Sequence, residues 1–199
     1  MALAYSNIDV ELREILLKDR PIELYNISPK GTVPVLQTKN SIIDESLDIM
    51  LWALNIQDTD KWSIDLDAQL SKISLNDREF KYWLDRYKYH DRYPDNTKDY
   101  YWEKCFRFLS DLDSSANKNN GYLFANHLTL TDISIFPFVR QCANVDISKF
   151  DNLIYLKPWL DNMISSNLFY SVMSKYAVWG SNNEPLIINF RNHAKKRLS

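Results

Sequence analysis

The residues best placed for chemistry lie in Ser28-Pro29-Lys30-Gly31-Thr32-Val33-Pro34-Val35-Leu36 and, a few positions on, in Ile42-Ile43-Asp44-Glu45-Ser46-Leu47. Pro29, Lys30 and Gly31 read as a turn, and Val33 to Leu36 as a short apolar strand with a proline inside it. Proline cannot donate to a ladder, so such a strand belongs at an edge, a strand start or a bulge, and a cis bond there marks a tight turn. The backbone N–H and C=O of Val33 are then left free to pair with something other than a neighbouring strand. Ile42 and Ile43 read as a second strand, and the apolar-periodic run that starts at Leu47 puts Glu45 and Ser46 at a helix N-terminus. Unpaired N–H groups and the positive end of the helix dipole gather at that point, which favours a carboxylate ligand. The combination is a site for an extended ligand, with a free backbone edge at Val33 and an anion pocket carrying its own acid and hydroxyl at Glu45 and Ser46.

Gly-Thr-Val-Pro-Val-Leu followed by Asp-Glu-Ser resembles the glutathione site of the glutathione transferase family. The resemblance implies that Val33, before a cis Pro34, pairs with the cysteinyl backbone of glutathione, and that Glu45 and Ser46 hold its γ-glutamyl end. Leu17-Lys18-Asp19-Arg20-Pro21 is similar to a segment of the omega-like, cysteine-type branch, in which the basic residue contacts glutathione; that role falls on Arg20. In the family the catalytic Ser, Tyr or Cys follows the first strand, a few positions before the point matched by Met1. The expectation is therefore a chain truncated before that residue and lacking its first strand, with the catalytic residue unknown.

The 199 residues suffice for one large domain or two small ones. At 45% hydrophobic, 25% charged and 14% aromatic residues the chain is of ordinary globular composition, which excludes a disordered class. A net charge of −2 gives no whole-chain case for nucleic acid. The cationic cluster Arg191, Lys195, Lys196 and Arg197 reads as a solvated terminus. Cys105 and Cys142 lie far apart in sequence, each among helix-type residues, and read as buried thiols in a reducing compartment. They and the scattered His90, His127 and His193 give no metal-ligand spacing, so no metal is expected. The first residues carry no basic region, and charges interrupt the apolar positions from Asp9 onward, so neither a signal peptide nor a membrane span is expected. The cytoplasm is the expected location.

These residues must be positioned by a fold, and the periodicity supplies one. Residues 1–6 read as the end of a helix closed by a left-handed Asn7, followed by a strand-like stretch at Ile8, Val10, Leu12 and Ile15, a connection over 21–27, the Val33 strand, the Ile42 strand and a helix from Leu47 to Ile56. Gln57 to Trp62 is a polar connection, and everything beyond it reads helical. Phe80, Trp83, Leu84 and Tyr87 share one helix face; Thr97 caps a helix reaching about Ala116, with Trp102, Phe106 and Leu109 on one stripe. Thr129 stands three residues before Asp132, with Leu128 placed to staple onto Ile133, the pattern of an N-capping box ahead of a buried helix that contains Pro137. The Thr-x-x-Asp box at the start of the central helix of the second domain is also the usual form in the family. Thr129 and Asp132 are thus assigned to folding. A further helix runs through Leu153, Leu156, Trp159, Leu160 and Met163, a short one spans Leu168 to Tyr176, and Leu186 to Phe190 covers the site or simply packs. Tyr82, Tyr87, Tyr89 and Tyr93, with Trp83 and Arg86, read as core and surface aromatics.

The expected fold class is α/β plus all-α: residues 1–56 an incomplete thioredoxin-like, glutathione-binding domain, 57–63 a linker, and 64–199 an all-helical domain. The implied function is detoxifying conjugation of glutathione, as co-substrate, to a small-molecule electrophile, or glutathione-dependent thiol transfer with a disulfide, in a homodimer. A protein of the same fold that binds without catalysis is the alternative.

Overall fold

The computed structural model describes residues 1–190. The basic cluster Arg191, Lys195, Lys196 and Arg197 lies outside the described residues. The chain divides into two compact units, one formed by Met1–Asp58 together with the chain from Ser166, the other by Thr59–Ser165.

The first unit begins with a single helical turn, α1 (Ala2–Tyr5). It is stopped by Asn7 at φ 52°, the left-handed conformation that Asn tolerates. Ser6, almost fully buried, donates its hydroxyl to the Gln57 carbonyl at 2.9 Å, which joins the end of α1 to the end of α3 (Ser46–Ile56). The strand-like stretch from Ile8 contracts to β1 (Val10–Glu11). It pairs antiparallel with β4 (Ile187–Ile188), Val10 opposite Ile188, and the pairing continues through Leu12 N–H to the Leu186 carbonyl at 2.8 Å. Of the segment Leu186 to Phe190, residues 186–188 pack as a strand partner of β1. After α2 (Ile22–Ile27), β2 (Leu36–Gln37) and β3 (Ile42–Ile43) form a hairpin closed by Thr38 N–H to the Ser41 carbonyl at 2.8 Å. The Val33 strand is thus shorter than its apolar run, because Pro34 has no N–H with which to extend the ladder. Helix α3 buries Ile49, Ala53 and Leu54.

The second unit is helical. Helix α4 (Leu66–Leu75) passes through a π-type segment at Asn76–Phe80 into α5 (Lys81–Lys88). The shared face of Phe80, Leu84 and Tyr87 is buried. Thr97 caps α6 (Lys98–Lys118), its hydroxyl accepting from Tyr100 N–H at 3.2 Å. The stripe that α6 buries is Tyr101, Cys105, Leu109, Leu112 and Ala116, one position away from the expected Trp102 and Phe106. Both sets satisfy helical spacing, and the smaller Cys105 and Ala116 fit where the packing is closest, leaving Phe106 exposed. Helix α7 (Leu130–Ala143) is buried along most of its length. Helix α8 (Leu156–Ser165) has its first amides accepted by Asp113 of α6, at 2.9 and 2.8 Å from Tyr155 and Leu156 N–H. Pro158 falls in its first turn, where a missing N–H costs nothing. The short α9 (Asn167–Ser171) belongs to the first unit.

Two polar clusters hold the core of the second unit. Asp132 sits in the capping box with Thr129 and accepts from Thr129 N–H (3.0 Å) and Oγ1 (2.8 Å), Leu123 N–H (2.9 Å) and Trp159 Nε1 (2.9 Å). Burial pushes its carboxyl above the ordinary carboxylate range, with those donors pulling the other way. The buried Gln69 does the complementary work, donating to the Trp62 carbonyl at 2.8 Å and the Ile64 carbonyl while accepting from Thr131 N–H (2.8 Å) and Oγ1 (2.9 Å). Among the described residues no helix is long and apolar enough to cross a membrane.

Candidate functional site

The Ser28–Gly31 turn is built by its own residues. Gly31 N–H donates to the Ser28 carbonyl at 2.9 Å, and Gly31 adopts φ +60°. It is the left-handed φ that calls for glycine here; a Cβ would also lie 2.4 Å from Cε1 of the exposed Tyr25 ring, which would have to swing aside. The buried Ser28 donates its hydroxyl to Asp44 Oδ2 at 3.0 Å, fixing the turn to the end of β3. Lys30 then reaches both neighbouring acids, with Nζ at 2.8 Å from Glu45 Oε1 and 3.3 Å from Asp44 Oδ1. The two carboxylates, Glu45 first, hold the Lys30 ammonium above its ordinary pKa. The Ser28 hydroxyl and then Lys30 hold the Asp44 carboxyl below its own.

The Val33–Pro34 peptide bond is cis. Val33 is exposed, and among the described residues nothing hydrogen-bonds its backbone. Val33 and Pro34 border a groove of about 860 Å³ within the first unit, lined on its other sides by Val10, Leu12, Leu17 and Ile49. Glu45 stands in extended conformation immediately before α3, and its carbonyl accepts the first intrahelical bond, from Ile49 N–H at 3.0 Å. No side chain caps this helix, so the amides of Ser46, Leu47 and Asp48 stay free at its positive end.

The structure thus ties Ser28, Lys30, Asp44 and Glu45 into one polar cluster beside Ser46, and sets Val33 and Pro34 on the groove wall. Arg20 lies on an exposed loop and makes no ion pair among the described residues. Ser28, Lys30 and Asp44 were not singled out as site residues by the sequence. The signal was there in the Ser-Pro-Lys-Gly turn and the paired acids, but which side chains meet depends on the hairpin that separates them.

This donor set suits an extended zwitterionic peptide. An extended peptide needs a backbone partner, its α-carboxylate needs donors and its ammonium needs an acceptor; Val33, the first amides of α3 and Glu45 offer these three. The carboxylate of Glu45 is already holding an ammonium, that of Lys30. The two cysteines cannot serve as activated thiols here. Both are free and fully buried in the second unit. Cys142 is raised well above an ordinary thiol, first by its hydrogen bond with Cys105 and then by burial, the opposite of an activated thiolate. Of the aromatics on α5 and just beyond it, Tyr87 is in the core, while the Arg86 guanidinium stacks over Tyr82 at 3.4 Å and over Tyr93 at 4.5 Å. Among the described residues no group of three or more His, Cys, Asp or Glu could hold a metal ion.

Residues 1–61 match the family model described as the N-terminal domain of glutathione S-transferase. No curated protein matches the sequence significantly. Solved structures similar to this chain include a glutathione S-transferase from Rhodospirillum rubrum F11, at 17% identity and TM-score 0.69, covering 98% of this chain and 90% of that one. Glutathione S-transferase 1-6 from Anopheles dirus species B matches at 21% identity and TM-score 0.67, over 81% of this chain and 80% of its own. Glutathione S-transferase I from maize, solved in complex with an atrazine glutathione conjugate, matches at 18% identity and TM-score 0.68, over 84% of this chain and 85% of its own. At these identities the likeness is one of fold. That fold is the glutathione transferase fold, a thioredoxin-like N-terminal domain followed by a helical C-terminal domain.

Proposed function

We propose that this protein binds glutathione at the Val33–Pro34 edge and the start of α3, and is a glutathione transferase-like enzyme that conjugates glutathione to small electrophiles or transfers thiols through it. The observation that carries the reading is the pairing of an unpartnered backbone at Val33 with a helix start whose acid, Glu45, already accepts an ammonium. Val33 would pair with the cysteinyl backbone, Glu45 would accept the γ-glutamyl ammonium, Ser46 and the first amides of α3 would take the γ-glutamyl carboxylate, and Arg20 would supply a cation from its exposed loop. Bound glutathione would supply the thiol nucleophile. The residue that activates the thiol is not assigned in this chain. Within the same reading, residues 1–56 form the glutathione-binding domain and 64–199 the helical domain of a cytoplasmic homodimer, and the Leu17–Pro21 segment aligns the protein with the omega-like branch.

A non-catalytic binding protein of the same fold is the second reading, favoured by the burial of both cysteines. Turnover separates the two. Glutathione-dependent conjugation of an aryl halide, or reduction of a mixed disulfide, above the uncatalysed rate supports the enzyme. Saturable glutathione binding with neither activity supports the binding protein.

A further inference from the structure

The cation on Glu45 belongs to the protein itself. Lys30 is presented by a turn held at both ends: Ser28 is buried and bonded to Asp44, and Gly31 N–H closes the turn on the Ser28 carbonyl at 2.9 Å. Its ammonium spans Glu45 and Asp44 at 2.8 and 3.3 Å, the positions that an incoming ammonium would need. The Lys30 side chain is 53% exposed and that of Glu45 63%, so the pair faces water and its ends can separate at small cost. A four-carbon stem lets Nζ swing away while the backbone of the turn stays in place.

From this we propose that Lys30 is an exchangeable occupant of the ammonium site, a tethered cation that the α-ammonium of a γ-glutamyl ligand must displace from Glu45, and so a specificity-determining residue; the inference rests on the glutathione reading above. With Lys30 in place, a ligand ammonium gains only the difference between two cations on one carboxylate. Its contribution to affinity is therefore muted relative to a site with a vacant acid. The exchange also explains why two acids and one lysine stand together: after displacement Asp44 remains within reach of Lys30.

The test compares glutathione with its des-amino analogue, glutaryl-cysteinylglycine, by calorimetric titration into the wild-type chain, Lys30→Met, Glu45→Gln and the double variant. The readout is the ratio of the two dissociation constants, analogue over glutathione, which isolates the ammonium from every other contact. In Lys30→Met the ratio rises about fivefold, the worth of one exposed ion pair that binding no longer forfeits. In the Glu45→Gln background the same Lys30→Met change leaves the ratio unmoved. Binding of both ligands with a ratio indifferent to Lys30→Met overturns the inference and leaves the glutathione site standing. A rise of equal size without Glu45 also overturns it, because Lys30 would then act independently of that acid. Absence of binding of either ligand to all four folded proteins overturns the glutathione reading and this inference together.

Discussion

Asp132→Ala should be the most destabilising single substitution at the start of α7, and its size follows from the bonds it removes. Asp132 is fully buried, and its two oxygens receive four donors: Thr129 N–H and Oγ1, Leu123 N–H and Trp159 Nε1. Leaving a buried donor without an acceptor costs about 1–3 kcal/mol. The four are not independent, since Thr129 contributes two and its hydroxyl can rotate to a new acceptor, so the expected total is about 4 kcal/mol rather than the sum. For a chain of this size that corresponds to a fall in Tm of about 8–16 °C. Asp132→Asn keeps the shape and one carbonyl oxygen but turns an NH₂ toward two donors, and should lose about 2–3 kcal/mol. Urea unfolding followed by tryptophan fluorescence reads both variants, and Trp159→Phe, which deletes the indole donor together with part of the buried ring, provides the second arm of a double-mutant cycle whose coupling term cancels the cavity cost. Asp132 and Trp159 should couple by more than about 0.5 kcal/mol. An Asp132→Ala protein within about 1 kcal/mol of wild type would refute the reasoning, because four orphaned buried donors cannot be that cheap.

The pH dependence of stability has a definite sign at the same residue. Burial raises the native Asp132 carboxyl above its unfolded value, so between the two values the native chain holds a proton that the unfolded chain has released. Its contribution is full below the ordinary carboxylate pKa and is lost as pH rises through the raised native value; urea stability measured from acid to neutral pH should show this falling component in wild type and not in Asp132→Asn. Gly31→Ala must accommodate both a left-handed φ and a Cβ at 2.4 Å from Tyr25, and should lose about 1–3 kcal/mol of stability in the first unit, visible by far-UV circular dichroism on heating, together with weaker glutathione binding. Gln69→Leu removes the acceptor of Thr131 N–H and Oγ1 and the donor to two carbonyls, and should cost about 2–4 kcal/mol by urea unfolding; a neutral substitution would show that water replaces the amide.

Local rules reached those features that are local in the chain. Asn7 stops α1 because its side chain tolerates positive φ, Thr97 and the Thr129–Asp132 box start helices through bonds three residues long, and Pro34 ends a ladder because it lacks an N–H. What the sequence could not display were partnerships across long separations. Nothing in Ile187–Ile188 specifies Val10 and Glu11 as its strand partners, since any edge of matching pattern would serve. On α6, two stripes one residue apart both satisfied the helical period, and only the neighbours in the packed core decide that Cys105 and not Phe106 turns inward. The same limit applies to Cys105 and Cys142, 37 positions apart in sequence yet near enough in the core of the second unit for Cys105 to push the Cys142 thiol up. At the candidate site Val33, Pro34, Glu45 and Ser46 stood out by type and spacing. Lys30 and Asp44 read as an ordinary turn lysine and an ordinary acid until the hairpin brought them to one point.

The central claim is that the Val33 edge and the Glu45 helix start together make a glutathione site, and one titration addresses it most directly. Reduced glutathione is titrated calorimetrically into the 199-residue chain and into Glu45→Ala, each first shown by circular dichroism to be folded. The account predicts saturable binding to the wild-type chain and a dissociation constant about two- to fivefold weaker in Glu45→Ala, where the ligand ammonium has lost an exposed charged acceptor that it shared with Lys30. A folded wild-type chain that gives no saturable heat, or one whose affinity is indifferent to Glu45→Ala, would contradict it.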